Sequence, residues 1–170
     1  MIQEYSLISR RRAQAWGYDL VIAAAIFTIA LVFFYFYTIN NSRETEEVFQ
    51  KMFSEGDLIG SFILSEGYPE NWNPSNVVSI GLLSRGEINE TKLESLYSLT
   101  LSDYNQTKKL FNTKYNYYFS LEGKNFSINS QPVSGLGENY NNHECQNLIK
   151  LTRFVIYQRA PATLNLFVWN

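Results

Sequence analysis

The chain predicts an α+β fold. One long amino-terminal helix, transmembrane in its first half, packs at its second half on a mostly antiparallel β-sheet head domain with short helices. Three observations carry this prediction. Leu20–Tyr37 reads LVIAAAIFTIALVFFYFY, in which Thr28 is the only conventionally polar residue. The stretch that follows is amphipathic with a helical period. From Tyr115 onward, short β-branched or aromatic runs alternate with Gly, Asn and Pro clusters.

At about 1.5 Å per residue the apolar run covers about 27 Å as a helix, close to the hydrocarbon thickness of a bilayer. A buried core helix seldom carries so long a run, so residues 20–37 are read as a transmembrane segment. Ala15, Trp16, Tyr18 and Ile39 extend it on either side. Arg10, Arg11 and Arg12 precede it, whereas Arg43, Glu44, Glu46 and Glu47 are the first charges after it. The excess of arginine on the near side holds that end in the cytoplasm and places residues after Tyr37 outside. A secretory signal has a shorter apolar region that ends in small residues. This one ends in the aromatic cluster Phe33–Tyr37, which suits an interfacial belt, so the segment is expected to be kept.

The helix is expected to continue to about Ser54. Val48, Phe49, Met52 and Phe53 fall on one face, and Glu47 and Lys51 form a favourable i,i+4 pair on another. The sequence therefore divides into a basic leader (residues 1–13), a long helix (14–55) stopped by Gly56, and a head domain (56–170). Phe49, Met52 and Phe53 are expected to lie against a sheet.

In the head, Asp57–Ser65 (DLIGSFILS) and Val77–Leu83 (VVSIGLL) read as strands, with turn chemistry and an anchoring Trp72 between them. Asn89 or Thr91 caps a helix at about Lys92–Leu99, presenting Leu93, Leu96 and Tyr97. Ser102 or Asp103 caps a second at about Tyr104–Phe111. Tyr115–Leu121, Asn125–Asn129, Leu148–Gln158 and Thr163–Trp169 read as strands, the first two joined by a hairpin turn at Gly123-Lys124.

Composition narrows the function. Apolar residues make up 45% of the chain and aromatics 16%, enough to build a folded head. The net charge is −2 and the only dense basic cluster is the arginine triplet, so nucleic acid is not an expected partner. With Cys145 alone no intrachain disulfide forms. His143-Glu144-Cys145 holds the only His and the only Cys. As a zinc site it is short of ligands, and as a nucleophile pair it lacks an orienting third group, so it reads as a surface loop. No phosphate loop, serine-nucleophile elbow or paired-histidine helix is present. The expectation is no enzyme, no cofactor and no metal. Four N-x-S/T sequons, at Asn40, Asn89, Asn105 and Asn125, are candidate glycosylation sites on the outward side. Trp72 and the aromatics of Tyr115–Phe119 suit core packing better than binding.

The junction Arg10-Arg11-Arg12-Ala13-Gln14, abutting an apolar helix, resembles the class III signal of archaeal type IV pilin-like proteins. The resemblance covers about residues 10–55. It implies scission between Ala13 and Gln14 by a prepilin-type peptidase on the cytoplasmic side, so that the apolar helix survives in the mature chain. It also implies an acidic residue near the helix start that serves assembly. Asp19 is the candidate, although it is Asp where Glu is commoner and lies one residue later than usual. A carboxylate at the edge of an apolar run is costly without a partner, and in a bundle of parallel helices a neighbour's amino terminus supplies one. The competing reading leaves Asp19 hydrated at the headgroups. Ala23, Ala24, Ala25 and Ala30 suit close helix approach or ordinary membrane composition equally.

The resemblance implies a structural subunit of an extracellular filament serving adhesion or surface attachment. Its partners would be identical or homologous pilin subunits, the peptidase, an assembly ATPase with its membrane platform, and membrane lipid. Two rivals stand beside it: a permanently bitopic surface protein with a ligand-binding outer domain, and a membrane-tethered enzyme.

Overall fold

The computed structural model describes residues 3–170, with the side chains of residues 17–39 and 46–170. The chain forms two compact units, Met1–Glu47 and Val48–Asn170. The fold is α+β with one long amino-terminal helix, α1 (Gln3–Ile63).

Within the first unit, Gly17–Ile39 is apolar on every side, and none of it is buried in the molecule. Its two threonine hydroxyls are satisfied inside the helix. Thr28 Oγ1 donates to the Ala24 carbonyl at 2.8 Å and Thr38 Oγ1 to that of Phe34 at 2.9 Å. Back-bonding of this kind satisfies both threonine hydroxyls without water, as a hydrocarbon solvent requires.

The second unit opens with the end of α1. It continues through β1 (Leu83–Ser84), β2 (Glu87–Ile88), α2 (Glu90–Ser102), α3 (Tyr104–Leu110), β3 (Asn116–Leu121), β4 (Phe126–Ile128), β5 (Gln131–Val133) and β6 (Leu136–Gly137). A 3₁₀ turn (Tyr140–Asn142) then leads to β7 (Leu148–Tyr157) and β8 (Ala160–Trp169). The main sheet is antiparallel with strand order β6-β3-β8-β7, and β1-β2 and β4-β5 are separate hairpins. Met52, Ile59 and Ile63 of α1 join Leu93 and Leu96 of α2 and the inward residues of β3, β7 and β8 in one core.

Several expectations need correction. Asp57–Ser65 is not a strand: α1 runs on to Ile63, burying Ile59 and Ile63 at helical spacing. Gly56 therefore does not stop the helix. A Cβ there would come within 2.5 Å of Leu151 Cδ1, so the glycine lets α1 approach β7 and β8 closely. Of the aromatic-rich face, Met52 alone is fully buried; Phe49 and Phe53 are 41% and 55% exposed. Val77–Leu83 contributes only the bridge Tyr68↔Ser79 and the first residue of β1, with a bend at Val78. Its end serves α1 instead, for Leu82 N–H donates to the Ile63 carbonyl and Leu83 N–H to that of Ser65. The Gly123-Lys124 turn joins no hairpin, because β3 pairs with β6 and β8 whereas β4 pairs with β5.

Other expectations hold. Asn89 caps α2, its side chain accepting Lys92 N–H at 3.2 Å, and Asp103 caps α3 through Gln106 N–H at 2.9 Å. Trp72 is buried and donates Nε1–H to the Gly81 carbonyl at 2.8 Å. The two long carboxy-terminal strands lie where their β-branched and aromatic runs put them.

Candidate functional site

The feature with the clearest physical purpose is Gly17–Ile39, 23 residues of mean hydropathy 2.5, long and apolar enough to cross a membrane. Phe33, Phe34, Tyr35, Phe36 and Tyr37 are all exposed at its far end, with the Tyr35 and Phe36 rings edge to face at 6.2 Å. A soluble surface rarely carries so large a contiguous apolar patch, because each exposed side chain forfeits roughly 1.5–3 kcal/mol of burial. Bilayer or neighbouring helices remove that cost.

Asp19 lies inside this span and is exposed, with no ion-pair partner among the described residues. Ala23, Ala24, Ala25 and Ala30 are exposed as well. The junction Arg10, Arg11, Arg12, Ala13 and Gln14 lies outside the residues whose side chains are described, as does the sequon at Asn40.

The remaining sequons differ from one another. Asn89 is half-buried and occupied at both ends of its amide, accepting from Lys92 N–H and donating Nδ2–H to Ser84 Oγ at 3.2 Å. Asn105 is exposed on α3, yet the Thr107 of its sequon is fully buried, with its hydroxyl bonded to the Tyr104 carbonyl and to Tyr117 Oη. Asn125 is exposed just ahead of β4.

His143 and Cys145 do not face each other. The imidazole Nε2 pairs with Glu138 at 3.0 Å, whereas the Cys145 thiol points at the carbonyls of Tyr140 and His143 at 3.7 and 3.8 Å. A thiol aimed at carbonyls has no base to activate it. Among the described residues, no group of three His, Cys, Asp or Glu stands close enough to hold a metal ion.

Two features of the head escaped the sequence reading. One is Lys92, buried and donating its ammonium to the carbonyls of Glu66 and Leu83, both at 2.8 Å. It pins the exit of α1 to the β1 hairpin, and its position on the apolar face of α2 was the available signal. The other is β7, an outer strand of the main sheet with Phe154 86% exposed.

No family model, no curated protein and no solved structure matches this chain.

Proposed function

We propose that this protein is a structural subunit of an extracellular type IV pilus-like filament, assembled through its amino-terminal apolar helix and used in adhesion or surface attachment. The observation that carries the reading is the apolar span Gly17–Ile39, none of it buried, with Asp19 near its start, next to the basic Ala13–Gln14 junction.

On this reading the arginines hold the amino terminus in the cytoplasm until a prepilin-type peptidase removes them. The trimmed helix then leaves the bilayer sideways and buries itself among identical helices. One apolar surrounding replaces another, so the transfer gains little by itself, and an assembly ATPase supplies the work of extraction. Asp19 pairs with a neighbour's new amino terminus, which meets the need of a carboxylate inside an apolar bundle. The head is carried on the outside, where its surface meets other subunits or a substratum.

Electron microscopy of cells producing the wild-type chain or Asp19→Asn tests the proposal. Filaments from the wild type and their loss in the variant, with the protein still in the membrane fraction, support it. Cells lacking the gene that carry the same filaments as the parent contradict it, and then the bitopic surface protein is the better reading.

A further inference from the structure

We infer that Lys108 and Asn116 are the two ends of a self-formed cross-link. The Lys108 amine replaces the side-chain nitrogen of Asn116, which joins α3 to β3 through an isopeptide bond and releases ammonia. The inference concerns the head alone and holds whatever the fate of the apolar helix.

It rests on a contact between a nucleophile and an acyl group. Lys108 Nζ donates to Asn116 Oδ1 at 2.9 Å, which sets the amine beside the amide carbon it attacks. Both side chains stand on rigid elements. Lys108 lies in the last turn of α3, and Asn116 opens β3 opposite the buried Trp169 of β8. Tyr104, the first residue of α3, locks the two elements together. Its hydroxyl donates to the Tyr117 carbonyl at 3.3 Å and accepts Tyr117 N–H at 2.9 Å, and its ring centroid is 5.9 Å from Lys108 Nζ. Reactants held in this way meet at a high effective concentration, which is the main thing an unaided amine and amide lack.

The surroundings supply the other requirements. Partial burial holds the Lys108 amine below its ordinary 10.5, against the opposing pull of the Glu138 charge, and so favours the neutral nucleophile. Glu138 follows the pair Tyr118↔Gly137, and its N–H donates to the Tyr117 carbonyl at 3.0 Å, which brings it across the strands from the neighbour of Asn116. One of its carboxylate oxygens pairs with His143 Nε2 at 3.0 Å. Glu138 makes no ion pair with Lys108 among the described residues, so a side-chain rotation or one water carries the proton between them.

The step balances without an oxidant or a co-reactant. The Lys108 ammonium gives a proton to the Glu138 carboxylate, and the freed electron pair of Nζ attacks Asn116 Cγ. The Cγ–Nδ2 bond then breaks. Two protons leave Nζ and two arrive on Nδ2 by way of Glu138, so the products are a secondary amide and an ammonium ion, with the carboxylate restored. A head whose lone Cys145 forms no intrachain disulfide gains by this a covalent lock that no reductant opens.

Peptide mass spectrometry of the full chain, purified in detergent and digested with trypsin, tests the inference. The expected product is a branched peptide in which residues 93–109 and 115–124 are joined through Lys108 and Asn116, lighter by one ammonia than its two parts. Lys108→Arg keeps the charge and a donor to Asn116 but forms no amide, so its intact mass should retain the ammonia with the circular dichroism unchanged. Glu138→Gln keeps the side chain's shape without its proton transfer, and should slow the appearance of the branched peptide at least about tenfold. Two linear peptides from the wild-type chain overturn the inference. Loss of ammonia without a branch, the mark of a succinimide at Asn116, overturns it as well, and a Glu138→Gln chain that branches as fast as the parent overturns the role of that carboxylate.

Discussion

The hydroxyl of Thr113 donates to Glu55 Oε2 at 2.7 Å, joining α1 to the turn before β3 across 58 residues of chain. The same oxygen accepts Lys114 N–H at 3.2 Å. One carboxylate thus holds the helix end of the head against the loop that starts its sheet. Glu55→Ala removes both bonds and is expected to destabilise the head by about 1–3 kcal/mol, whereas Glu55→Gln keeps an acceptor and loses less. Urea unfolding followed by tryptophan fluorescence checks this; an Ala variant with the parent's midpoint refutes the role.

Gly60 and Gly81 make a contrasting pair. A Cβ at Gly60 meets only Arg153 Nε at 3.7 Å and Leu166 Cδ2 at 3.9 Å, ordinary contact distances. Because Gly60 lies inside α1, Gly60→Ala is expected to stabilise the head by about 0.5–1 kcal/mol. At Gly81 a Cβ would overlap the backbone of Gly67 and Ser65, which no rotamer change relieves. Gly81→Ala is expected to cost about 3 kcal/mol and to expose Trp72, whose indole donates to the Gly81 carbonyl. Thermal unfolding of both variants gives the two signs.

The head should unfold in alkali because of two buried phenols. Tyr104 Oη accepts Tyr117 N–H at 2.9 Å, and Tyr117 Oη donates to Thr107 Oγ1 at 2.6 Å. Burial raises both above the ordinary 10.0, with Tyr117 pushed up to about 12 and Tyr104 raised further. In the unfolded chain they ionise near 10, so the folded state binds their protons more tightly. The stability this gives is complete below about pH 10 and is lost as pH climbs through the folded values. Tyrosinate absorbance and circular dichroism, recorded together from pH 8 upward, should show a last group of tyrosines ionising only as the fold is lost. Ionisation of every tyrosine near 10 with the dichroism intact contradicts it.

The glycosylation candidates divide by geometry. Asn105 and Asn125 present free amides, whereas the Asn89 amide is engaged at both ends as the cap of α2. Glycopeptide mass spectrometry of protein from its native host should find sugar, where present, at Asn105 or Asn125, and none at Asn89.

Much of the fold was legible because its signals are local. An apolar run, two caps and the runs of β7 and β8 each lie within a few residues of sequence. The misreadings arose where a distant partner decides. DLIGSFIL has β-rich composition, yet Ile59 and Ile63 find their burial only as part of a helix lying on β7 and β8. The Gly123-Lys124 turn has hairpin chemistry, but the partners of β3 are β6 and, from the carboxy terminus, β8. Conversely, Gln158-Arg159 turns a hairpin at positive φ without the Gly or Asn that would have announced it. Of the candidate site, the apolar span was fully readable. That β7 is an outer strand was not, since strand order is set by partners distant in sequence.

The central claim is that the apolar helix is kept in the finished protein once its arginines are gone. Intact-mass measurement of the protein sheared from the cell surface addresses it directly. The account predicts a chain that begins at Gln14 and contains Gly17–Ile39. A chain that begins beyond Tyr37, or one that still carries Arg10, Arg11 and Arg12, contradicts it.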